Sequence, residues 1–471
     1  MQTIFNEPNA ANLTASFRKD GYAFEVAVAD ILDNSVSAGA KKIAITALQK
    51  PNLIFAVLDD GCGMDAQELQ AAMRLGSKDP NAARERSDLG RFGLGLKTAS
   101  FSQCEWLTML SKKAGKLSAY RWDLEHLGKC GRWEMFDLSG EAAAEYGDFE
   151  LFQKLQERQN GTLLIWQKID KVKPEEFSEV LARTKNHLRL VFHQFLEGRD
   201  LQDEAVRKVS IEVNGDCLEP LNPFNTANTA TQKRPKRVCS VGEARLVTTA
   251  FVLPHKDKCT PEEWERHALA RGYLRESGFY LYRAHRLLAW GEWFGAVKQD
   301  AAAQLVRIGV EVGNDQDELW NIDIKKSRAN PTANIVKCLK EVASEAVKRG
   351  AKVYQKRTKS TSEFQSAWQQ VDKEGKTWFV LNKDYPVLTT LKGWLDEEQN
   401  RLLEEFLRII EADLPIESIK QLVNLGIVTP NKLTQQGREQ TRESVIEAMV
   451  QNGFDAEVAA RFVENLACFK S

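Results

Sequence analysis

The sequence predicts an α+β fold shared among several domains, and three observations carry that prediction. Stretches with helical and with strand-like apolar spacing alternate over the first 110 residues. The two kinds stay mixed beyond that point, whereas the last third is predominantly helical. A chain of 471 residues also corresponds to about three domains at roughly 150 residues each. Boundaries are expected at 1–205, 206–335 and 336–471, the second domain opening near the strand and Asn-Gly turn of Ile211-Glu-Val-Asn-Gly215.

Residues 24–34 read as a helix with Val28, Ile31 and Leu32 near one face, followed by short strands at 42–48 and 53–58. A Gly-rich turn leads to a second helix at 66–75. Residues 78–89 are polar and charged without apolar periodicity, which predicts a long surface loop. A helix resumes at Gly95, strands follow at 106–110, 117–122 and 162–166, and 174–196 has the spacing of one long amphipathic helix. Further on, 225–237 reads as an exposed loop, 278–288 and 305–312 as strands, and 332–348 as a helix. Helices are expected again at 391–410, 438–451 and 456–469.

Composition narrows the function classes. Lys+Arg (65) and Asp+Glu (66) nearly cancel, giving a net charge of -1, which excludes a generally polybasic nucleic-acid coat but not a local basic patch. No apolar run approaches the roughly 18 residues of a membrane span, and the N-terminus lacks the basic start and apolar core of a signal peptide. A cytoplasmic protein is expected. The eight cysteines are scattered with no C-x-x-C pair, so reduced, idle thiols are expected rather than a metal or redox centre.

Four short motifs carry chemistry. Asp30-Ile-Leu-Asp33-Asn34-Ser35 lies on the first helix, and the i, i+4 spacing sends Asp30 and Asn34 off one face. A carboxylate and an amide oxygen there suit a hydrated Mg²⁺ and an attacking water; an acidic helix end capped at Asn34 has the same letters. Asp59-Asp-Gly61-Cys-Gly63-Met64 follows an apolar strand and sets a carboxylate beside glycines that let a flat ligand approach. Such an Asp can accept from an exocyclic amine and favour adenine, although an ordinary Asp-Gly turn also fits. Gly90-Arg-Phe-Gly93-Leu-Gly95-Leu-Lys97-Thr98 offers backbone N–H groups and a helix start to an anion, with Lys97 as a point charge. It departs from a Walker A loop, because Leu96 separates Gly95 from Lys97 and a charged stretch replaces the preceding strand. Asn160-Gly161-Thr162 opens a strand, where the Thr162 hydroxyl can reinforce a contact made by Asp59 or can simply leave a turn.

In this order the motifs resemble those of the GHKL ATPases, a superfamily that includes DNA gyrase B subunits, MutL, heat-shock chaperones, histidine kinases and MORC proteins. The resemblance covers about residues 20–170 and leans toward bacterial MORC/MutL-like members. It implies an N-terminal Bergerat-type α/β sandwich over 1–205, a transducer-like α+β domain over 206–335 and a mainly helical region over 336–471, with ATP and Mg²⁺ as cofactors. It implies Asp30 as the catalytic base, Asn34 as the Mg²⁺ ligand, and Asp59 as the adenine reader above Gly61, Gly63 and Met64. Ser77, Gly90, Arg91, Phe92, Gly93, Leu94, Gly95 and Lys97 would surround the phosphates, 77–89 would form a mobile lid, and Thr162 would support the adenine contact. Many hydrolysing members carry Glu where this chain has Asp30. The acid is one methylene shorter, and because a misplacement of about 1 Å can cost 10²-fold, slow turnover is expected.

Downstream, 211–215 and 278–290 resemble the second domains of MORC and MutL-type proteins. Trp320-Asn-Ile-Asp-Ile-Lys325-Lys326-Ser327 reads as a strand ending in two lysines. In the superfamily a transducer lysine reaches the γ-phosphate, so Lys325 or Lys326 is the candidate, and strand alternation would turn only one inward. The resemblance further implies a clamp that dimerises on ATP and works with nucleic acid or a nuclease partner, with restriction or phage (antiviral) defence as its setting and no membrane. Basic clusters at 233–237 and 348–359 are the candidate phosphate-backbone contacts. The alternatives are a non-hydrolysing ATP-binding scaffold and a heat-shock-type chaperone.

Overall fold

The computed structural model describes residues 3–4, 8–19, 22–76, 95–242, 244–300, 302–313, 316–321, 329–358, 367–373, 376–415, 419, 435–451 and 455–464. Two compact units emerge, Met1–Gly350 and Ala351–Ser471. In the first unit the chain runs α1 (Ala10–Lys19), α2 (Phe24–Ser37), β1 (Lys42–Leu48), β2 (Ile54–Asp59), α3 (Ala66–Met73) and α4 (Gly95–Phe101). It continues through β3 (Cys104–Lys113), β4 (Lys116–Asp123), α5 (Leu124–Cys130), β5 (Phe136–Asp137), α6 (Glu150–Gln156) and β6 (Gly161–Ile169). Then come α7 (Phe177–Val191), α8 (His193–Glu197), β7 (Ser210–Val213) and β8 (Asp216–Cys217).

These strands form one eight-stranded sheet in the order β5-β4-β3-β6-β2-β1-β7-β8, ending at both margins in strands of two residues. Period-2 alternation explains why it is buried on both faces. Phe55 and Val57 of β2, with Leu164 and Trp166 of β6, join the core shared with the helices. Ala56, Leu58, Leu163 and Ile165 go to the opposite core with Leu151, Phe152 and Leu155 of α6. Phe24 at the start of α2 meets Phe55 and Trp166 edge-on at 5.3 and 5.7 Å, which fixes α2 against the middle of the sheet. The fold class is therefore the expected one, an N-terminal mixed α/β sandwich within an α+β chain with a helical C-terminal region.

A second sheet follows, built from β9 (Gln232–Lys233), β10 (Arg237–Val241), β11 (Ala244–Val252), and, beyond α9 (Pro261–Ala268) and α10 (Gly272–Arg275), from β12 (Gly278–Arg283), β13 (Arg286–Glu292) and β14 (Val306–Glu311). Its order is β10-β11-β14-β12-β13, with β9 on β11. Phe224, Phe251, Tyr280 and Tyr282 place its inner face in the same core as α2 and α7. The unit's last elements are α11 (Asp317–Trp320) and the part of α12 (Ala333–Thr358) up to Gly350.

Several expectations are revised by this arrangement. Residues 174–196 are not one helix: a 3₁₀ turn precedes α7, and the chain breaks at Phe192 before α8. Residues 190–196 are all buried, whereas α7 before them keeps an exposed face, so the chain turns into the core at this point. The strand at 211–215 extends the first sheet, where Ile211 stands in parallel register with Ile43, and the second sheet starts later, at Gln232. Trp320 ends a short helix instead of opening a strand. Cys239 and Cys338 form a disulfide tying β10 to α12, contrary to the expectation of uniformly reduced thiols; their separation of 99 residues hides the pairing in the sequence.

In the second unit, β15 (Trp368–Lys373) and β16 (Lys376–Leu381) form a hairpin that the helical expectation omitted. It precedes α13 (Pro386–Trp394), α14 (Glu397–Ala412) and the helices Gln435–Gln451 and Ala456–Glu464. Among the described residues no helix is long and apolar enough to cross a membrane.

Candidate functional site

The motif residues that the structure describes converge where the C-terminal half of α2 meets the end of β2. Asp59 closes β2 and is buried, with a relative exposure of 6 %. Ser35 Oγ on α2 donates to Asp59 Oδ2 at 2.8 Å, and the Gly61 backbone N–H donates to Oδ1 at 2.9 Å. Burial pushes this carboxyl above its ordinary range, against the pull of the Gly61 and Ser35 hydrogen bonds. Thr162 sits directly across from Asp59 in the β2–β6 ladder. Its hydroxyl shares a 2.8 Å hydrogen bond with Ser111 Oγ, which also accepts from the Met64 N–H at 2.9 Å.

Two glycines make this corner possible. A Cβ on Gly61 would lie 2.9 Å from both Ala38 Cβ and Asp59 Oδ1, so any side chain there would cover the carboxylate. Gly63 has φ +67°, and a Cβ would come within 1.9 Å of the Lys112 carbonyl oxygen. The backbone is thus packed against backbone, leaving Asp59 at the sheet mouth.

Beside Ser35 on α2, Asn34 is exposed and its Nδ2 donates to the carbonyl of Asp30, one helical turn earlier, at 2.9 Å. That bond uses the amide's donor end, and the side-chain oxygen is the atom type a hard cation takes. Asp30 is buried and its Oδ2 accepts from the Tyr22 hydroxyl at 2.5 Å. Gly95, the first residue of α4, neighbours the acid: a Cβ on it would sit in ordinary contact, 3.9 Å from Asp30 Oδ2. Lys97 lies on the same helix but is buried, its Nζ donating to the Ala72 carbonyl at 2.9 Å near the end of α3. Ser77, Gly90, Arg91, Phe92, Gly93, Leu94, Lys325 and Lys326 fall outside the described residues.

Sequence reasoning passed over four participants. Ser35 follows Asn34 directly, and Tyr22 stands eight residues before Asp30, close to one face of the same segment. Ser111 carries no motif and is found only once β3 and β6 are in register. The fourth is Arg286 on β13. Its Nε lies 3.0 Å from Asp33 Oδ1, and both side chains are almost fully buried. The guanidinium stacks 4.9 Å above the Phe192 ring. Asp33 is the neighbour of Asn34, so this pair fastens the site helix to the second sheet.

Residues 22–162 match the family described as "Histidine kinase-, DNA gyrase B-, and HSP90-like ATPase", so this part of the chain is similar to the GHKL-type ATPase domain. Two curated proteins show the particular kinship. The "DNA mismatch repair protein MutL" of Allorhizobium ampelinum is 32% identical over 107 residues, 22% of this chain and 17% of that protein. The "ATPase morc-1" of Caenorhabditis elegans is 34% identical over 94 residues, 20% of this chain and 11% of that protein. The matched stretch spans less than a fifth of the length of either relative.

Proposed function

We propose that this protein is an ATP-dependent conformational switch that binds ATP with Mg²⁺ and hydrolyses it slowly. The observation that supports it best is the corner formed by Asp59, Ser35, Gly61 and Thr162, with Asn34 beside Ser35 and Asp30 one turn earlier on α2. In this reading Asp59 accepts a hydrogen bond from the adenine amine, held in place by Ser35 and Gly61. Met64 and Gly63 form the floor, and Thr162 supports the same edge through Ser111. The side-chain oxygen of Asn34 would hold Mg²⁺, which when bound supplies charge neutralisation to the phosphates. Asp30 would orient a water, its Oδ2 steadied by the Tyr22 hydroxyl. The glycine turn ending at Gly95 would cradle phosphate, and either Lys325 or Lys326 would register the γ-phosphate.

The output side of the switch rests on the Asp33–Arg286 pair, through which a shift of α2 would reach the second sheet. That sheet, with the transducer-like segment around it, would change the contacts offered to a second copy of the chain and to nucleic acid or a nuclease partner. Two basic clusters far apart in sequence support the nucleic-acid part. Arg234, Lys236, Arg237 and Arg349 line one cleft of about 260 Å³, tempered by Glu345. A role in restriction or phage defence follows the MORC/MutL-like kinship and is proposed on that ground alone.

The test is steady-state phosphate release beside equilibrium ATP·Mg²⁺ binding, on wild type and Asp30→Ala. Binding retained by both, with release falling at least 10²-fold in the variant, is the expected outcome. Binding with equal, background release in both would make the protein a non-hydrolysing scaffold, a reading that the shortened, Tyr22-bound acid favours. Absence of ATP binding would remove the switch.

A further inference from the structure

Away from the nucleotide corner, α5 gathers an imidazole, a thiol and a carboxylate. His126 and Cys130 are four residues apart and share one face of the helix. The helix stops at Gly131, whose left-handed backbone (φ 67°) turns the chain back on itself. Glu134 is thereby returned to α5, with Oε2 3.7 Å from His126 Nε2. One ligand atom from each of the three residues lies within 4.8 Å of the others. The His126 ring is braced by Phe136, centroid to centroid 4.8 Å, and Arg132 Nε holds the second carboxylate oxygen of Glu134 at 3.1 Å.

We propose that His126, Cys130 and Glu134 form a Zn²⁺ site with water as the fourth ligand. Zinc takes sulfur at about 2.3 Å and nitrogen or oxygen at about 2.0–2.2 Å, so tetrahedral ligand atoms stand roughly 3.3–3.7 Å apart. Closing the observed spacing needs a movement of roughly 1 Å, which side-chain rotation supplies. A thiolate ligand disfavours Mg²⁺ and Ca²⁺ and favours a borderline-soft ion. The Cys130 thiol now donates to the Arg132 carbonyl at 3.4 Å; metal binding would replace that proton, and the two anionic ligands would balance the ion's charge. The bound ion would fix residues 131–135, of which Trp133, Glu134 and Met135 form a wall of a cleft of about 670 Å³ facing Trp122 and Arg74. Its role is then to set the shape of that wall independently of the nucleotide.

The experiment is titration of the full-length, reduced protein with Co²⁺ as a spectroscopic substitute for zinc, followed by displacement with Zn²⁺. The expected result is a near-ultraviolet thiolate-to-cobalt band that saturates at one equivalent, disappears on adding Zn²⁺, and is lost in Cys130→Ser. His126→Ala, a second variant should Cys130→Ser fail to fold, lowers the affinity at least about tenfold. No such band in wild type, or a band unchanged in both variants, overturns the site.

Discussion

The Asp59 corner and the junction between α2 and the second sheet both rest on α2, yet they are built on different principles. At the corner, position is set by what is missing: Gly61 and Gly63 carry no Cβ, and the main chain packs against Ala38 and Lys112. At the junction, a buried charge pair, Asp33 with Arg286, is added to the apolar core that α2 and the second sheet share. A backbone-packed corner is rigid and intolerant of added atoms. A buried ion pair is tolerant of shape and intolerant of losing one partner, because the survivor keeps its desolvation cost without its counter-charge. The Asp59 corner is thus the stiff side, and the Asp33–Arg286 contact the side whose strength one residue can alter.

Experiments can break or sharpen this contrast. The largest effect is expected from Arg286→Ala, which should lower unfolding free energy by about 3–5 kcal/mol in denaturant titration. Asp33→Leu combined with Arg286→Met should recover most of that loss, and a cost below about 1 kcal/mol for the single variant would mean that other contacts hold α2. Next, Gly63→Ala should cost about 3 kcal/mol through a strained φ and a backbone clash, with nucleotide binding lost in parallel.

Asp59→Asn should separate binding from stability. Nucleotide affinity is expected to fall by about 10–100-fold, whereas the melting temperature stays level or rises. The sign follows from burial: a carboxyl whose folded pKa is raised carries an unfavourable folding contribution when ionised, and this fades as pH falls through the raised value. A melting temperature that drops sharply would contradict a binding role for this burial.

The smallest effect near neutral pH belongs to His187, beside Trp290 at the junction. Burial, reinforced by Arg286, lowers its pKa from 6.5 to about 3. The unfolded chain therefore takes up this proton below about pH 6.5 while the folded chain does not, so stability present above that pH declines between 6.5 and about 3. Unfolding free energy against pH should show a shallower acid slope in His187→Gln, and identical slopes would remove the histidine from the account.

The same contrast explains what could be read from the sequence. The corner was legible because absence of a side chain leaves a letter: Asp59, Gly61, Gly63 and Thr162 stand in short motifs, and β2 and β6 show their alternation openly. The junction was not legible, since Asp33 and Arg286 are 253 residues apart and neither sits in a pattern requiring the other. Ser111 was invisible for a related reason, its role being defined only by cross-strand register. The break at Phe192 was missed because apolar residues continue through it and no Gly or Pro stands between 175 and 197 to mark it. His126 and Cys130 escaped because their third partner is delivered by a left-handed glycine instead of by spacing.

The two-residue strands β5 and β8 at the margins of the eight-stranded sheet have a consequence for assembly. An open margin of any length would offer a row of unpaired main-chain donors and acceptors to a neighbouring molecule. Here each margin exposes too little ladder to template another strand. Copies of the chain meeting at this domain would have to recognise one another by side-chain fit, a contact that can be made and released without re-knitting a sheet.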